Sequence, residues 1–100
     1  MNIRTESIHF TADQKLLDLI EKKVQKLYVI YDRIIEVHVI LKLENSGQVK
    51  DKIAEIKLSV PGDVLIAKDV KKTFEAAVDG ATNHLKRQIK KHKERQRSYL

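Results

Sequence analysis

Few residues in this 100-residue sequence have the types and spacing needed for catalysis. The sequence has four histidines and no cysteine, which excludes a cysteine nucleophile and a thiolate metal site. Ser7 and His9 are two apart on a predicted strand, a spacing more typical of exposed edge residues than of a nucleophile and its base. His84 and His92 are eight apart on a predicted helix, roughly 12 Å, too far to share one metal ion. We therefore predict a protein that is not an enzyme and binds neither metal nor cofactor.

Basic residues are concentrated at the C-terminal end. The net charge is +6, and residues 84–100 hold seven Lys and Arg against one Glu, whereas residues 1–83 are neutral. One or two cations suit a helix C-terminus, and a solvated helix end is the ordinary interpretation of such a run. Seven basic residues in twelve positions repel one another, however, and a polyanion would relieve that repulsion. We therefore expect contact with nucleic acid.

The basic residues form rows at helical spacing. Lys86, Lys90 and Lys93 share one row of the final helix, and Arg87, Lys91 and Arg95 lie beside it. On the first helix Lys22, Lys23 and Lys26 extend the surface or simply coat a solvated face. The strands offer no aromatic pair for stacking bases, which favours a structured RNA recognised by shape. A protein-binding or membrane-surface helix is disfavoured because no Trp, Phe or Leu anchor lies between Ile89 and Tyr99.

The first half of the chain predicts a strand, a helix and a second strand. Residues 2–8 alternate loosely as a short strand. Thr11 opens a helix, with Asp13 in its first turn, and the helix ends near Tyr28. Residues 34–44 alternate apolar and polar side chains, the strongest strand pattern in the chain.

The second half predicts two more strands and a long helix. Residues 45–47 form a turn, residues 54–60 alternate as a strand, and a type II turn at Pro61-Gly62 leads into a short strand over 64–67. Asp69 caps the final helix. Its apolar row is Val70, Phe74, Ala77, Val78, Ala81, Leu85 and Ile89. Gly80 costs this helix about 1 kcal/mol relative to Ala but permits close packing. Residues 90–97 have nothing to bury, so the helix frays or projects there.

The resulting fold class is α+β, a single domain with the order β-α-β-β-β-α. A right-handed crossover makes the first two strands parallel. Both strong strands have one apolar face, so the two helices should cover one side of a four-stranded sheet.

Several motifs resemble the ribosome hibernation promoting factor and ribosome-associated inhibitor family, over nearly the whole chain. They are Tyr31-Asp32-Arg33-Ile34, Ala54-Glu55, Ala76-Ala77-Val78-Asp79 and the run Leu85-x-Arg87-Gln88-Ile89-x-Lys91-His92-Lys93. The resemblance implies a fold similar to double-stranded RNA-binding domains. Since the chain has neither a second domain nor a long tail, it is similar to the short form. Residues 1–100 are then one ribosome-binding domain, with residues 90–100 its basic helix end and tail.

The resemblance also implies a function. Such proteins are cytoplasmic, bind the small ribosomal subunit and its 16S-type rRNA between head and body, exclude mRNA and tRNA, and act in stress or stationary phase. The protein is expected to be a monomer in solution and not to bind membranes. Whether it acts with a separate ribosome modulation factor is left open. A general structured-RNA binder or RNA chaperone is the alternative.

The expected rRNA-binding residues have two sources. The resemblance implies Lys23, Lys26, Arg87, Lys91 and Lys93. The charge rows add Lys22, Lys86, Lys90 and Arg95. Arg33 matches the family pattern and serves either as an RNA contact or in an ion pair with Asp32 or Glu36.

Overall fold

Two helices and four strands make up the computed structural model, which describes residues 2–46 and 49–97. The elements are β1 (Ile3–Ile8), α1 (Gln14–Ile30), β2 (Glu36–Ser46), β3 (Val49–Val60), β4 (Asp63–Lys71) and α2 (Phe74–Arg97). The sheet order is β1-β2-β3-β4; β1 and β2 are parallel, and the other neighbours are antiparallel. The predicted order and strand directions are therefore confirmed.

The core lies between one face of the sheet and both helices. Alternation along the strands sends Val37, Val39 and Leu41 of β2 inward, where they are fully buried, as are Ile56 and Leu58 of β3. The helices contribute Leu16, Ile20, Val24, Leu27, Phe74, Ala77, Val78, Ala81, Leu85 and Ile89. The opposite face of the sheet is not covered by a helix in the described residues, as expected of half-apolar strands. No helix in the described ranges has a stretch long and apolar enough to cross a membrane.

The start of α1 differs from the prediction. Asp13, not Thr11, is the N-cap, and its Oδ1 accepts a hydrogen bond of 2.9 Å from the Leu16 backbone N–H. The carboxylate satisfies one of the unpaired donors of the first turn, so the helix begins only after it. At the other end the Tyr31 N–H donates to the Leu27 carbonyl at 2.9 Å, which extends α1 two residues beyond the predicted end at Tyr28.

The boundary between β4 and α2 also differs. Asp69 was expected to cap the final helix, but it lies within β4 opposite Ala54. The long β3 strand supplies pairing partners as far as Lys71, and this pairing outweighs local capping. Val70 is consequently an exposed strand residue rather than the first member of the helix row. Thr73 takes over the capping, since its Oγ1 accepts from the Ala76 N–H at 3.1 Å.

The two predicted hairpin turns have different outcomes. Gly62 has φ +81°, the left-handed conformation that the third residue of a type II turn requires, and Pro61 precedes it as expected. Asn45 and Ser46, predicted to begin a turn, instead belong to β2, and Ser46 pairs with Val49. Residue 47, the rest of that predicted turn, lies outside the described residues.

Gly80 sits mid-helix because α2 passes close to β4 there. A Cβ on this residue would collide with the Asp69 carboxylate. We expect Gly80→Ala to lower the melting temperature in the wild-type background, although alanine is by itself the better helix former by about 1 kcal/mol.

The control is the same change in an Asp69→Ala background. Removing the carboxylate leaves only the Cβ of residue 69, 3.3 Å from the added methyl group, so Gly80→Ala should there destabilise much less, as followed by circular dichroism during heating. Equal destabilisation in both backgrounds would show that something other than Asp69 requires the glycine.

Candidate nucleic-acid interface

The basic C-terminal half of α2 is anchored on the core. Leu85 and Ile89 are fully buried beneath it, and His92, one turn further on, is 6% exposed. The His92 ring packs edge-on against Tyr31, with ring centroids 5.7 Å apart. The prediction that residues 90–97 bury nothing is therefore wrong: His92 continues the apolar row, and the extended end of α1 covers it. The helix continues to Arg97.

One row of cations borders a groove between α2 and the end of α1. Lys86, Lys90, Lys93 and Glu94 line this groove together with Ile30, and its volume is about 330 Å³. Lys93 Nζ donates a 3.1 Å hydrogen bond to the Ile30 carbonyl. A cation is favourable there because the last carbonyls of a helix carry partial negative charge. Lys93 is thus held in place on α1.

The second row flanks β4 instead. Lys91 and Arg95 border a groove of about 460 Å³ together with Leu65, Gln88 and Glu94. Gln88 Nε2 donates to the Ile66 carbonyl of β4 at 2.8 Å. The α2 cations therefore occupy both flanks of one helix, a refinement of the adjacent rows seen in the sequence.

The arginines of this second row are held by neighbours. The Arg87 guanidinium Nη2 lies 2.9 Å from Nδ1 of His84, one turn earlier on the same helix. The Arg95 guanidinium lies 3.9 Å from the Asp63 carboxylate at the start of β4. Both arginine side chains are exposed, so they remain accessible to a large anion.

The α1 lysines meet α2 at a carboxylate. Lys23 Nζ lies 2.6 Å from Oδ1 of Asp79, with 26% and 50% of the two side chains exposed. The hydrogen bond and charge of Lys23 lower the pKa of Asp79 below its usual range, and the charges of Lys86 and Lys26 lower it further. Asp79 is thus the point at which the cations of both helices converge.

The remaining two predicted residues are less closely tied to this surface. Lys22 is exposed on α1, and no hydrogen bond or ion pair involves it within the described part of the chain. Arg33 is exposed in the segment that joins α1 to β2. Among the described residues Arg33 makes no ion pair with Asp32 or Glu36, so the structure does not support the second of its two predicted roles.

Asp79 belongs to one of the motifs that resemble the family, but the sequence does not predict it as part of the basic surface. It lies seven residues before Lys86, on the same side of α2, and this spacing was the available signal. A carboxylate at the centre of a basic surface is costly for binding an anion, so its presence calls for an explanation.

The lowered pKa of Asp79 makes the stability of the fold depend on acid pH. Asp79 holds its charge more strongly when folded, so its stabilising contribution is present above the ordinary value of 3.8 and is lost as pH falls through the lower folded pKa. Because the pair is half-exposed, its contribution is small: we expect Asp79→Asn to melt only slightly below wild type at pH 7 and with wild type at the acid end of a pH series. A difference that persists unchanged in acid would assign the effect to packing instead of charge.

The residues considered for catalysis do not assemble a site. β1 ends at Ile8, and His9 follows with a left-handed φ of 69°, so His9 does not lie on the strand that carries Ser7, contrary to the prediction. His84 is turned to Arg87, whereas His92 is buried against Tyr31. Over the described ranges no three His, Asp or Glu side chains are grouped so that they could hold a metal ion.

Comparisons with known proteins agree on one family. Its model, described as Sigma 54 modulation protein / S30EA ribosomal protein, matches residues 3–97. A ribosome hibernation promoting factor of Pseudomonas putida is 34% identical over 100 residues, which are 100% of this chain and 94% of the relative. The N-terminal domain of Thermus thermophilus Protein Y superposes with a TM-score of 0.78 and 27% identity, covering 92% of this chain and 99% of that one. A ribosomal subunit interface protein from Coxiella burnetii, 23% identical, has the same fold, with a TM-score of 0.85 and coverage of 94% and 99%.

Proposed function

Because the chain belongs to the Sigma 54 modulation protein / S30EA ribosomal protein family, we propose that it is a non-enzymatic ribosome-binding inhibitor of translation. Its target is the small subunit, where it binds 16S-type rRNA in the channel used by mRNA and by A-site and P-site tRNA. Occupying that channel excludes both ligands and keeps ribosomes inactive in stationary phase or stress. The protein acts as a single domain in the cytoplasm, bound to ribosomes.

The observation that carries this proposal is the convergence of cations from both helices. Lys23 of α1 contacts Asp79 of α2 at 2.6 Å, and the charges of Lys26 and Lys86 act on the same carboxylate. Lys91 and Arg95 extend the positive surface along the other flank of α2. A rigid helix anchored by Leu85, Ile89 and His92 fixes the distances between these charges. Phosphate contacts at fixed distances position a protein on a folded RNA without reading bases.

Charge alone gives affinity, and geometry must give selectivity. About five to seven phosphate contacts imply a roughly 10³-fold fall in affinity for a fourfold rise in salt, with the duplex slope as a guide. A general structured-RNA binder or RNA chaperone would show the same salt dependence. The second candidate is favoured by one observation: the side chains of the surface are lysine and arginine, which recognise any phosphate backbone.

Co-sedimentation distinguishes the two candidates. The protein is mixed with purified small subunits, large subunits or total RNA, and mRNA and tRNA are added as competitors. Preferential pelleting with small subunits, reversed by tRNA and mRNA, supports the channel site. Equal pelleting with every RNA and no effect of the competitors would support the general binder and reject the channel.

A further inference from the structure

Asp79 is a carboxylate that lies between the lysines of α1 and the basic row of α2. It joins the two helices through Lys23 at 2.6 Å, and Lys26 and Lys86 lie close enough for their charges to lower its pKa. Half of its side chain is exposed. A ligand that covers this surface must therefore meet the carboxylate.

The pairing costs the protein affinity for any polyanion. A phosphate arriving at Lys23 must share or displace the Asp79 carboxylate, which then stays beside it as a like charge. Asp79 is not needed to hold the helices together, since the buried rows of α1 and α2 already do so and a half-exposed ion pair contributes little to stability. We therefore expect the loss of polyanion affinity caused by Asp79 to have a role in selecting the ligand.

We propose that Asp79 is a specificity-determining residue that excludes backbone phosphate from the junction of α1 and α2. The surface then accepts an RNA whose phosphates reach the flanking cations, Lys26 on α1 and Lys86 and Lys90 on α2, and leave a gap at Asp79. RNA with evenly spaced phosphates, such as a plain duplex or an extended strand, places a phosphate at the carboxylate and is rejected. Repulsion of the wrong partner is a general source of selectivity. This inference rests on the function proposed above.

The test compares two substitutions that change the charge equally. Asp79→Asn removes the carboxylate at the junction. Glu55→Gln removes a carboxylate that is also paired with a lysine, Lys57 at 3.8 Å, but on the sheet face opposite the helices. Both variants and wild type are titrated with isolated small subunits, a 20-base-pair RNA duplex and poly(U), at several salt concentrations.

Asp79→Asn should bind the duplex and poly(U) about fivefold more tightly than Glu55→Gln does, the factor expected for one unit charge about 4 Å from a phosphate in water. Its salt slope on the duplex should steepen by about one contact. The affinity of Asp79→Asn for small subunits should change little. Because its affinity for duplex and poly(U) rises, the ratio of small-subunit affinity to duplex affinity should fall. Equal affinities of the two variants for duplex and poly(U) would overturn the inference. Weaker binding of Asp79→Asn to every RNA would also overturn it, because Asp79 would then serve only to position Lys23.

The same titrations separate failure of the inference from failure of the proposed function. The small-subunit preference of the wild-type protein tests the function by itself. The difference between Asp79→Asn and Glu55→Gln on the duplex tests the role of the carboxylate, whether or not the ribosome is the natural target.

Discussion

Replacing Arg87 and Lys91 together by glutamate should abolish binding to the small subunit while the fold stays intact. Both side chains are exposed on α2, so the core is not disturbed. The double substitution removes two cations and places two anions where phosphates would lie. We expect a loss on the order of 100-fold or more at physiological salt, measured by co-sedimentation with purified small subunits.

The matched control changes the same charge at the other end of the helix pair. Lys15 lies in the first turn of α1, and Lys72 just precedes α2. Lys15→Glu with Lys72→Glu alters net charge equally and should keep most of the binding, because acidic residues suit helix N-termini and these positions are remote from residues 86–95. If both double variants lost binding to the same extent, net charge alone would explain the loss. The positions of Arg87 and Lys91 would then have no special role.

Truncating Ile89 to alanine should cause the largest loss of stability among the changes considered. The side chain is fully buried between the cations of α2 and the sheet. Emptying such a site costs about 2–5 kcal/mol, and each kcal/mol lowers the melting temperature of a domain of this size by about 4–8 °C. The melting temperature from circular dichroism should therefore fall by at least about 8 °C.

Ile89→Val is the graded control for that experiment. Loss of one methyl group costs about 0.5–1.5 kcal/mol, so the melting temperature should fall much less than for alanine. If alanine and valine melted together near wild type, the helix at Ile89 would not be packed on the core as described.

The elements that could be predicted from sequence are those whose pattern depends on burial. The alternation of Val37, Val39 and Leu41 predicted an inward strand face, and the row ending at Leu85 and Ile89 predicted the buried side of α2; both are confirmed. Burying apolar side chains contributes a large free energy, and the buried positions recur at the fixed period of the helix or strand. The sequence therefore shows them as a regular pattern.

The boundaries were harder because they depend on competition between nearby groups. Asp69 has the side chain of a helix cap, but pairing with β3 draws it into β4, and this pairing depends on residues distant in sequence. His92 continues the spacing of the apolar row, but it lies in the charged run of residues 90–97, for which the sequence predicts nothing to bury. The aromatic partner of the His92 ring is Tyr31, which directly follows α1, and only the folded structure brings the two rings together.

The candidate site was partly predictable for a similar reason. Helical spacing identifies the rows of Lys86, Lys90 and Lys93, since that spacing is local to one helix. The pairing of Lys23 with Asp79 joins residues 56 positions apart, and no local pattern contains it. Likewise, the split of the α2 cations between the α1 side and the β4 side depends on what packs beside each flank.

The hydrogen bond from Gln88 to Ile66 has a consequence for solubility. β4 is an edge strand whose outward side chains Val64, Ile66 and Val70 are 52%, 50% and 44% exposed. An apolar edge with open carbonyls invites another chain to add a strand, the first step of sheet-to-sheet aggregation. Gln88 occupies one of those carbonyls, directly after Arg87 in the sequence. Gln88 thus closes one bonding position on the exposed edge of the sheet, directly beside a residue of the proposed anion-binding surface.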